Sequence, residues 1–276
     1  MKIFWKYLSW HKIKISNFLR FKLSMHGNRL CLFFNIHAFF MGLSARLEYD
    51  HGSSTYKITD GVIKKFISPQ TAKWGYWHGI AFRGDSLGRN YFLNELEFKA
   101  GDIVVDCGAH IGDLKIYFEN LGSDVEYIGF EPSPFEFKCL QENVYPSKVH
   151  NVGLWEKKGE LDFFQSSVNA DSSFIKPKVF THSFKVSVDC LSNIEKRKIR
   201  LLKIEAEGGE IEVLRGCKDI FQNIDYIAGD FGFERGVNED NTFPDCINLL
   251  LANGFQAVKV VAPNGRNTAL FKNSKI

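Results

Sequence analysis

The sequence has no CxxC pair, no GxGxxG run and no internal repeat in its 276 residues. Its six cysteines (Cys31, Cys107, Cys139, Cys190, Cys217 and Cys246) are scattered and have no matching histidine spacing. That pattern indicates neither a cysteine-histidine zinc site nor a small disulfide scaffold, and it fits a reducing cytoplasm. The missing GxGxxG argues against a nicotinamide-dependent oxidoreductase. A spanning helix needs roughly 20 apolar residues, and the longest run, Leu30 to Leu43, has 14 and contains Asn35 and His37. It reads as a buried or interfacial helix, and no small-residue cleavage site marks a signal peptide.

Acidic residues are absent from positions 1 to 46, which carry eight Lys and Arg, whereas the remainder has 27 basic against 32 acidic side chains. The net charge of +3 therefore hides a segment of +8 and a body of −5. Residues 1 to 29 intersperse these charges with Phe4, Trp5, Trp10, Phe18 and Phe21, a basic amphipathic composition. Three partners suit it: an anionic membrane surface, the acidic body of the same protein, or nucleic-acid phosphates.

Three regions follow from pattern: the basic amphipathic segment 1–46, a hairpin and aromatic-rich lead-in over 47–98, and a larger domain over 99–276. In TYKITDGVIKKF, residues 55 to 66, two alternating runs flank Asp60-Gly61, which predicts a hairpin. Residues 74 to 92, rich in Gly and aromatics, have no clear period and read as a covering loop or as aromatic packing against the main sheet. From residue 99 strands and helices alternate, which demands a mostly parallel sheet. Strands are predicted at Ile103–Asp106, Tyr127–Phe130, Val149–Leu154, Leu201–Ile204 and Tyr226–Asp230. Helices are predicted over 112–121, 134–144 and 245–252, with a hairpin-like excursion over 160–189. FQAVKVV and TALFK flank Pro263-Asn264-Gly265 as a closing antiparallel hairpin.

Chemistry concentrates where predicted strands end. VDCGAHIGD, residues 105 to 113, is a strand, a glycine turn and a helix start, the order that brings bare backbone against a nucleotide-like ligand. Asp106 sits badly for a pyrophosphate and well for an ammonium, as in the amino-acid end of S-adenosylmethionine. Glu131 ends the next apolar run 19 positions after Gly112, where a carboxylate accepts hydrogen bonds from ribose hydroxyls. A third acidic cluster, Glu205, Glu207 and Glu210, follows another strand end and offers a base, a sugar clamp or metal ligands. Each acid also has a plainer reading as a turn residue or a helix-start charge.

Four ordered stretches, VDCGAHIGD, FEPSPFEFKCLQENV, VHNVGLWEKKGELDFF and KIEAEGGEIEVLRG, resemble the motifs of FkbM-type methyltransferases. The resemblance implies a class I methyltransferase (Rossmann-like) fold: an α/β seven-stranded sheet with its last strand antiparallel. It implies S-adenosyl-L-methionine as cofactor, with Asp106, Gly108, Ala109, His110 and Gly112 around the methionine part, Glu131 at the ribose, and Asn151 and Val152 at the adenine. The family's usual aspartate after the fourth strand is Glu205 here, and its usual asparagine in the first motif is His110. The implied activity is O-methylation of a sugar, glycan or small natural product; the scattered cysteines, and not the resemblance, point to the cytoplasm, and the basic segment to the inner face of a membrane. Glu207, Glu205, His110 and Asp230 are the base candidates, Glu207 first. Nucleic-acid methylation is the weaker enzymatic alternative, since the chain lacks a Pro-Pro pair. A cofactor-binding protein without turnover is the non-enzymatic one.

Overall fold

The computed structural model describes residues 26–68, 75–165, 172–262 and 267–275. They fall into two compact units, one ending at Arg83 and one beginning at Gly84. Most of the basic segment, the first residue of the aromatic lead-in, part of the 160–189 excursion and the Pro263-Asn264-Gly265 turn lie outside the described residues.

In the first unit, the apolar run forms helix α1 (Asn28–Met41), followed by a three-stranded antiparallel sheet of β1 (Arg46–Asp50), β2 (Thr55–Thr59) and β3 (Lys64–Ile67). The two polar residues inside the run have paired roles. Asn35 donates to the Leu47 carbonyl at 3.0 Å and accepts from the Leu47 amide at 2.8 Å, and His37 Nε2 pairs with the Trp77 carbonyl at 2.7 Å. Gly42 ends the helix at φ 69°, and the Leu43 amide closes back on the Ala38 carbonyl at 2.8 Å. The predicted β2–β3 hairpin forms, with Asp60 Oδ1 accepting from the Val62 and Ile63 amides at 3.0 and 2.8 Å. β1 was not legible as a strand, since only Leu47 of its five residues is deeply buried. Among the described residues, no helix is long and apolar enough to cross a membrane.

The second unit holds a seven-stranded sheet. In chain order its strands and helices include α2 (Ile80–Asn90, which begins before the boundary), β4 (Ile103–Cys107), α3 (Asp113–Leu121), β5 (Glu126–Phe130), α4 (Pro134–Val144) and β6 (Lys148–His150). Then come β7 (Gly153–Leu154), β8 (Gly159–Gln165), β9 (His182–Asp189), α5 (Leu191–Ile194), β10 (Ile199–Ile204), α6 (Glu210–Gly216) and β11 (Ile224–Asp230). The chain closes with β12 (Phe233–Arg235), β13 (Asp240–Asn241), α7 (Phe243–Ala252), β14 (Phe255–Val261) and β15 (Thr268–Asn273). The sheet order is β14-β15-β11-β10-β4-β5-β6. The five strands from β11 to β6 are parallel, and β15 runs antiparallel between β11 and β14. This is the seven-stranded Rossmann-like arrangement the motifs implied.

The central strands are buried on both faces, which is why they read as continuous apolar runs. Val105, Ile128, Leu202 and Ile204 meet Leu214, Cys246 and Leu250 on one face. Val104, Tyr127, Leu201 and Ala228 meet Leu114, Phe118 and Leu140 on the other.

Two expectations need correction. The lead-in over 74–92 contains a helix, α2, where the sequence showed no period. Glycines weaken helix propensity, but here they serve contact: a Cβ on Gly88 would lie 2.2 Å from the Tyr117 ring, and one on Gly84 2.8 Å from the Ile116 backbone. The single strand predicted over 149–154 is two strands in two sheets. β6 ends at His150 in the main sheet, while β7 pairs with β9 in a second sheet, β7-β9-β8. Between them the Asn151 side chain donates to the Glu131 and Pro132 carbonyls at 2.8 and 3.0 Å, turning the chain away from the main sheet. The excursion over 160–189 is the antiparallel pair β8–β9, as predicted.

Candidate functional site

Because β4, β5, β6, β10 and β11 are parallel, their carboxyl ends share one edge of the sheet, where ligands bind in open α/β folds. That edge gathers every candidate residue named from sequence.

At the tips of β4 and β5, the loop after Cys107 caps its neighbour. The Gly108 and Ala109 amides both donate to the Phe130 carbonyl, at 3.1 and 2.9 Å. Gly108 stands at φ 71°, and a Cβ there would lie 2.0 Å from the Glu205 carbonyl oxygen, so the approach of the β4 and β10 tips requires glycine. Gly112, at φ 86°, is required by the packing of α4. Its missing Cβ makes room for Val144 of α4, 2.4 Å away. His110 sits at φ 51°, a left-handed conformation that Asn and His both enter more readily than most residues.

Glu131 ties the two tips together. Its Oε2 accepts the His110 amide and its Oε1 the Ser133 amide, both at 2.8 Å. A carboxylate has about four acceptor positions, so two remain for further donors. Burial pushes its pKa up to about 8, against the pull of the Ser133 and His110 amides and with Glu136 adding to the rise. Behind it the His150 ring stacks on Phe130 at 4.8 Å, while Ala109 is buried and half-buried Val152 packs on the main core.

Asp106 requires a correction. An ammonium does face it, but that ammonium belongs to the chain: Lys203 Nζ lies 3.0 Å from Oδ1, and Tyr127 donates to Oδ2 at 2.6 Å. The aspartate and lysine side chains are 1% and 4% exposed, so the pair is internal. Lys203 also donates to the Gly108 carbonyl at 3.0 Å and stands 3.3 Å from Glu205 Oε2. Burial alone would lower its pKa, but Asp106 and then Glu205 outweigh burial and raise it. Tyr91 completes the cluster. Lys203 Nζ lies 5.5 Å from its ring centroid, and burial followed by Glu205, its hydrogen-bond partner, holds the phenol far above its ordinary range.

The loop after β10 is braced on several sides. Glu207 is in the left-handed region at φ 48° and Gly208 at φ 94°. Ser173 donates to the Glu207 carbonyl at 2.6 Å, and Arg235 donates to the Gly208 carbonyl at 2.6 Å while gripping both oxygens of Glu212 at 2.9 and 2.8 Å. Glu210 is an internal brace: its buried Oε1 accepts the Ala206 and Gly208 amides at 3.1 and 2.9 Å. Such a fixed left-handed residue marks a geometry held against its own preference. The Glu207 side chain is half-buried, with its Oε2 enclosed, and buried Asp230 ends the neighbouring strand β11. Among the described residues, no group of three or more His, Cys, Asp or Glu is placed to hold a metal ion.

Sequence reasoning missed Lys203, Tyr127, Tyr91, Ser173 and Arg235. For Lys203 a signal existed, since a lysine interrupts the otherwise apolar LLKI strand one position before its end.

The model of the FkbM methyltransferase domain matches residues 106–257, more than half of the chain. Methyltransferase 1 of Beauveria bassiana is 26% identical over 151 residues, covering 44% of this chain and 61% of the relative. The hexuronic acid methyltransferase AglP of Haloferax volcanii is 26% identical over 160 residues, covering 55% of this chain and 64% of the relative. The matches thus span less than two thirds of either relative's length. Among solved structures, a methyltransferase FkbM from Methylobacillus flagellatus KT aligns with a TM-score of 0.47 at 19% identity, over 65% of this chain and 45% of that one.

Proposed function

Since this chain is a member of the FkbM methyltransferase domain family, we propose that it is an S-adenosylmethionine-dependent O-methyltransferase acting on a hydroxyl of a sugar, glycan or small natural product. The observation that carries this reading is Glu131: a buried carboxylate at the tip of β5, hooked to the first glycine loop through the His110 amide, with two acceptor positions left over for a ribose diol. The residues fit the cofactor at its nucleoside end. S-adenosylmethionine, when bound, supplies an electrophilic methyl group on a sulfonium.

The chain's own residues then have three tasks. Glu131 accepts from the ribose hydroxyls, with Asn151 and Val152 beside the place for adenine. The Asp106–Lys203–Tyr127 cluster fixes the loop from Gly108 to Gly112 at the methionine end, including backbone at Ala109 and His110. Glu207 would take the acceptor's hydroxyl proton, and the cofactor, when bound, would supply the methyl group to the oxygen so activated. Glu205, already beside an ammonium at 3.3 Å, orients rather than accepts a proton. His110 and Asp230 are second choices for the base.

Similarity to a hexuronic acid methyltransferase supports placing sugar acids first among acceptors to assay. The enzyme works in the cytoplasm, and its basic residues 1–46 bring it to an anionic surface at the inner face of a membrane. Glu207→Gln keeps the side chain's shape and removes its basicity. With labelled cofactor and a methyl-accepting sugar, kcat is expected to fall about 100-fold or more while cofactor binding is unchanged. Undiminished turnover would remove Glu207 from the role of base.

A further inference from the structure

Helix α1 is apolar on two opposite sides. Leu30, Cys31, Phe34 and Ala38 are buried in the first unit. Leu32, Ile36, Phe39 and Phe40 stand exposed at 59, 38, 73 and 42%. At about 100° per residue these four side chains fall within an arc of roughly 100°, so they form one stripe along the helix. Exposed Arg29 falls on the same arc. Scattered apolar side chains on a surface are ordinary, but a contiguous apolar stripe marks a contact surface.

The charge around it names the partner. The stripe lies inside a stretch of 46 residues with eight Lys and Arg and no acid, and the preceding residues 1–29 are themselves rich in aromatic and basic side chains. Apolar side chains that enter the acyl boundary beside cations that pair with headgroups are the pattern of an interfacial helix. We propose that Leu32, Ile36, Phe39 and Phe40 of α1 insert into an anionic lipid surface, with Arg29 at the headgroup level. This rests on reading residues 1–46 as a membrane-contacting segment, and it is independent of methyl transfer.

Co-sedimentation of the full chain with vesicles tests it. Wild type is expected to sediment with phosphatidylcholine–phosphatidylserine vesicles, far less with phosphatidylcholine alone, and less at high salt. Phe39→Ser combined with Phe40→Ser removes the most exposed part of the stripe and leaves the buried face intact. Its partition onto anionic vesicles is expected to fall on the order of tenfold, with thermal melting and cofactor binding unchanged. Wild-type binding that survives the double substitution would overturn the stripe and leave the basic segment as the contact. Failure of wild type to bind either vesicle, including a case where it is retained on duplex RNA instead, would overturn both.

Discussion

Lys203→Met is expected to lower stability by about 3 to 5 kcal/mol, because it leaves the buried Asp106 carboxylate without its cation. The lysine is held by Asp106, the Gly108 carbonyl and Glu205 at 3.0, 3.0 and 3.3 Å, so methionine replaces the stem and none of these contacts. Two further results follow. Lys203→Met combined with Asp106→Asn removes both charges and is expected to be more stable than Lys203→Met alone. The deficit of the single variant is also expected to shrink in acid. Burial already raises the Asp106 pKa above its ordinary 3.8, against the opposing pull of Lys203. Without the lysine the folded state holds the proton more tightly. Stability is then highest where the carboxyl is protonated in both states, and it is lost as pH rises from 3.8 through the folded value. Urea denaturation at several pH values reads all three. A single variant as stable as wild type would show that the pair does not hold the tips of β4 and β10 together.

Glu131→Ala is expected to weaken S-adenosylmethionine binding roughly 100-fold, since hydrogen bonds to a charged group contribute about 1.5 to 3 kcal/mol each. Part of that loss comes from the His110 and Ser133 amides, which lose their acceptor. Glu131→Gln separates the contributions, because it retains an acceptor and removes the charge. Wild-type affinity carries its own signature in pH. Ribose hydroxyls favour the ionised carboxylate, and burial pushes the free carboxyl's pKa up to about 8. Binding therefore strengthens as pH rises toward 8 and levels off above it, changing by about tenfold per unit below that value. The slope is expected to vanish in Glu131→Gln. A slope that persists there belongs to another group.

Much of the sheet was legible because its determinants are local. Apolar runs buried on both faces, Pro134 at a first helical turn and Asp60-Gly61 between alternating runs each act within a few residues. The errors came from distant partners. Whether residues 149–154 make one strand or two depends on Asn151 reaching Glu131 and Pro132, and on β9 arriving beside β7. The two glycines of α2 look like helix breakers until α3 is placed against them.

The candidate site divides the same way. Glu131 and the glycine turn were found because a strand end, a turn and an acid are adjacent in sequence. Asp106 was assigned an external ammonium because its internal one lies 97 positions away on β10, directly opposite in the sheet register. In sequence Glu205, Glu207 and Glu210 form one acidic cluster after a strand end, with Glu207 the first choice of base. The Glu207 carbonyl is held by Ser173, 34 positions away, whereas Glu205 stands beside Lys203 on the preceding strand and Glu210 accepts the nearby Ala206 and Gly208 amides.

Calorimetric titration of the purified chain with S-adenosylmethionine, and in parallel with NAD, tests the central claim most directly. Saturable micromolar-range binding of S-adenosylmethionine, abolished or greatly weakened in Glu131→Ala, with no binding of NAD, is the predicted result. Binding of NAD in place of S-adenosylmethionine, or affinity for S-adenosylmethionine that is indifferent to Glu131, would contradict it.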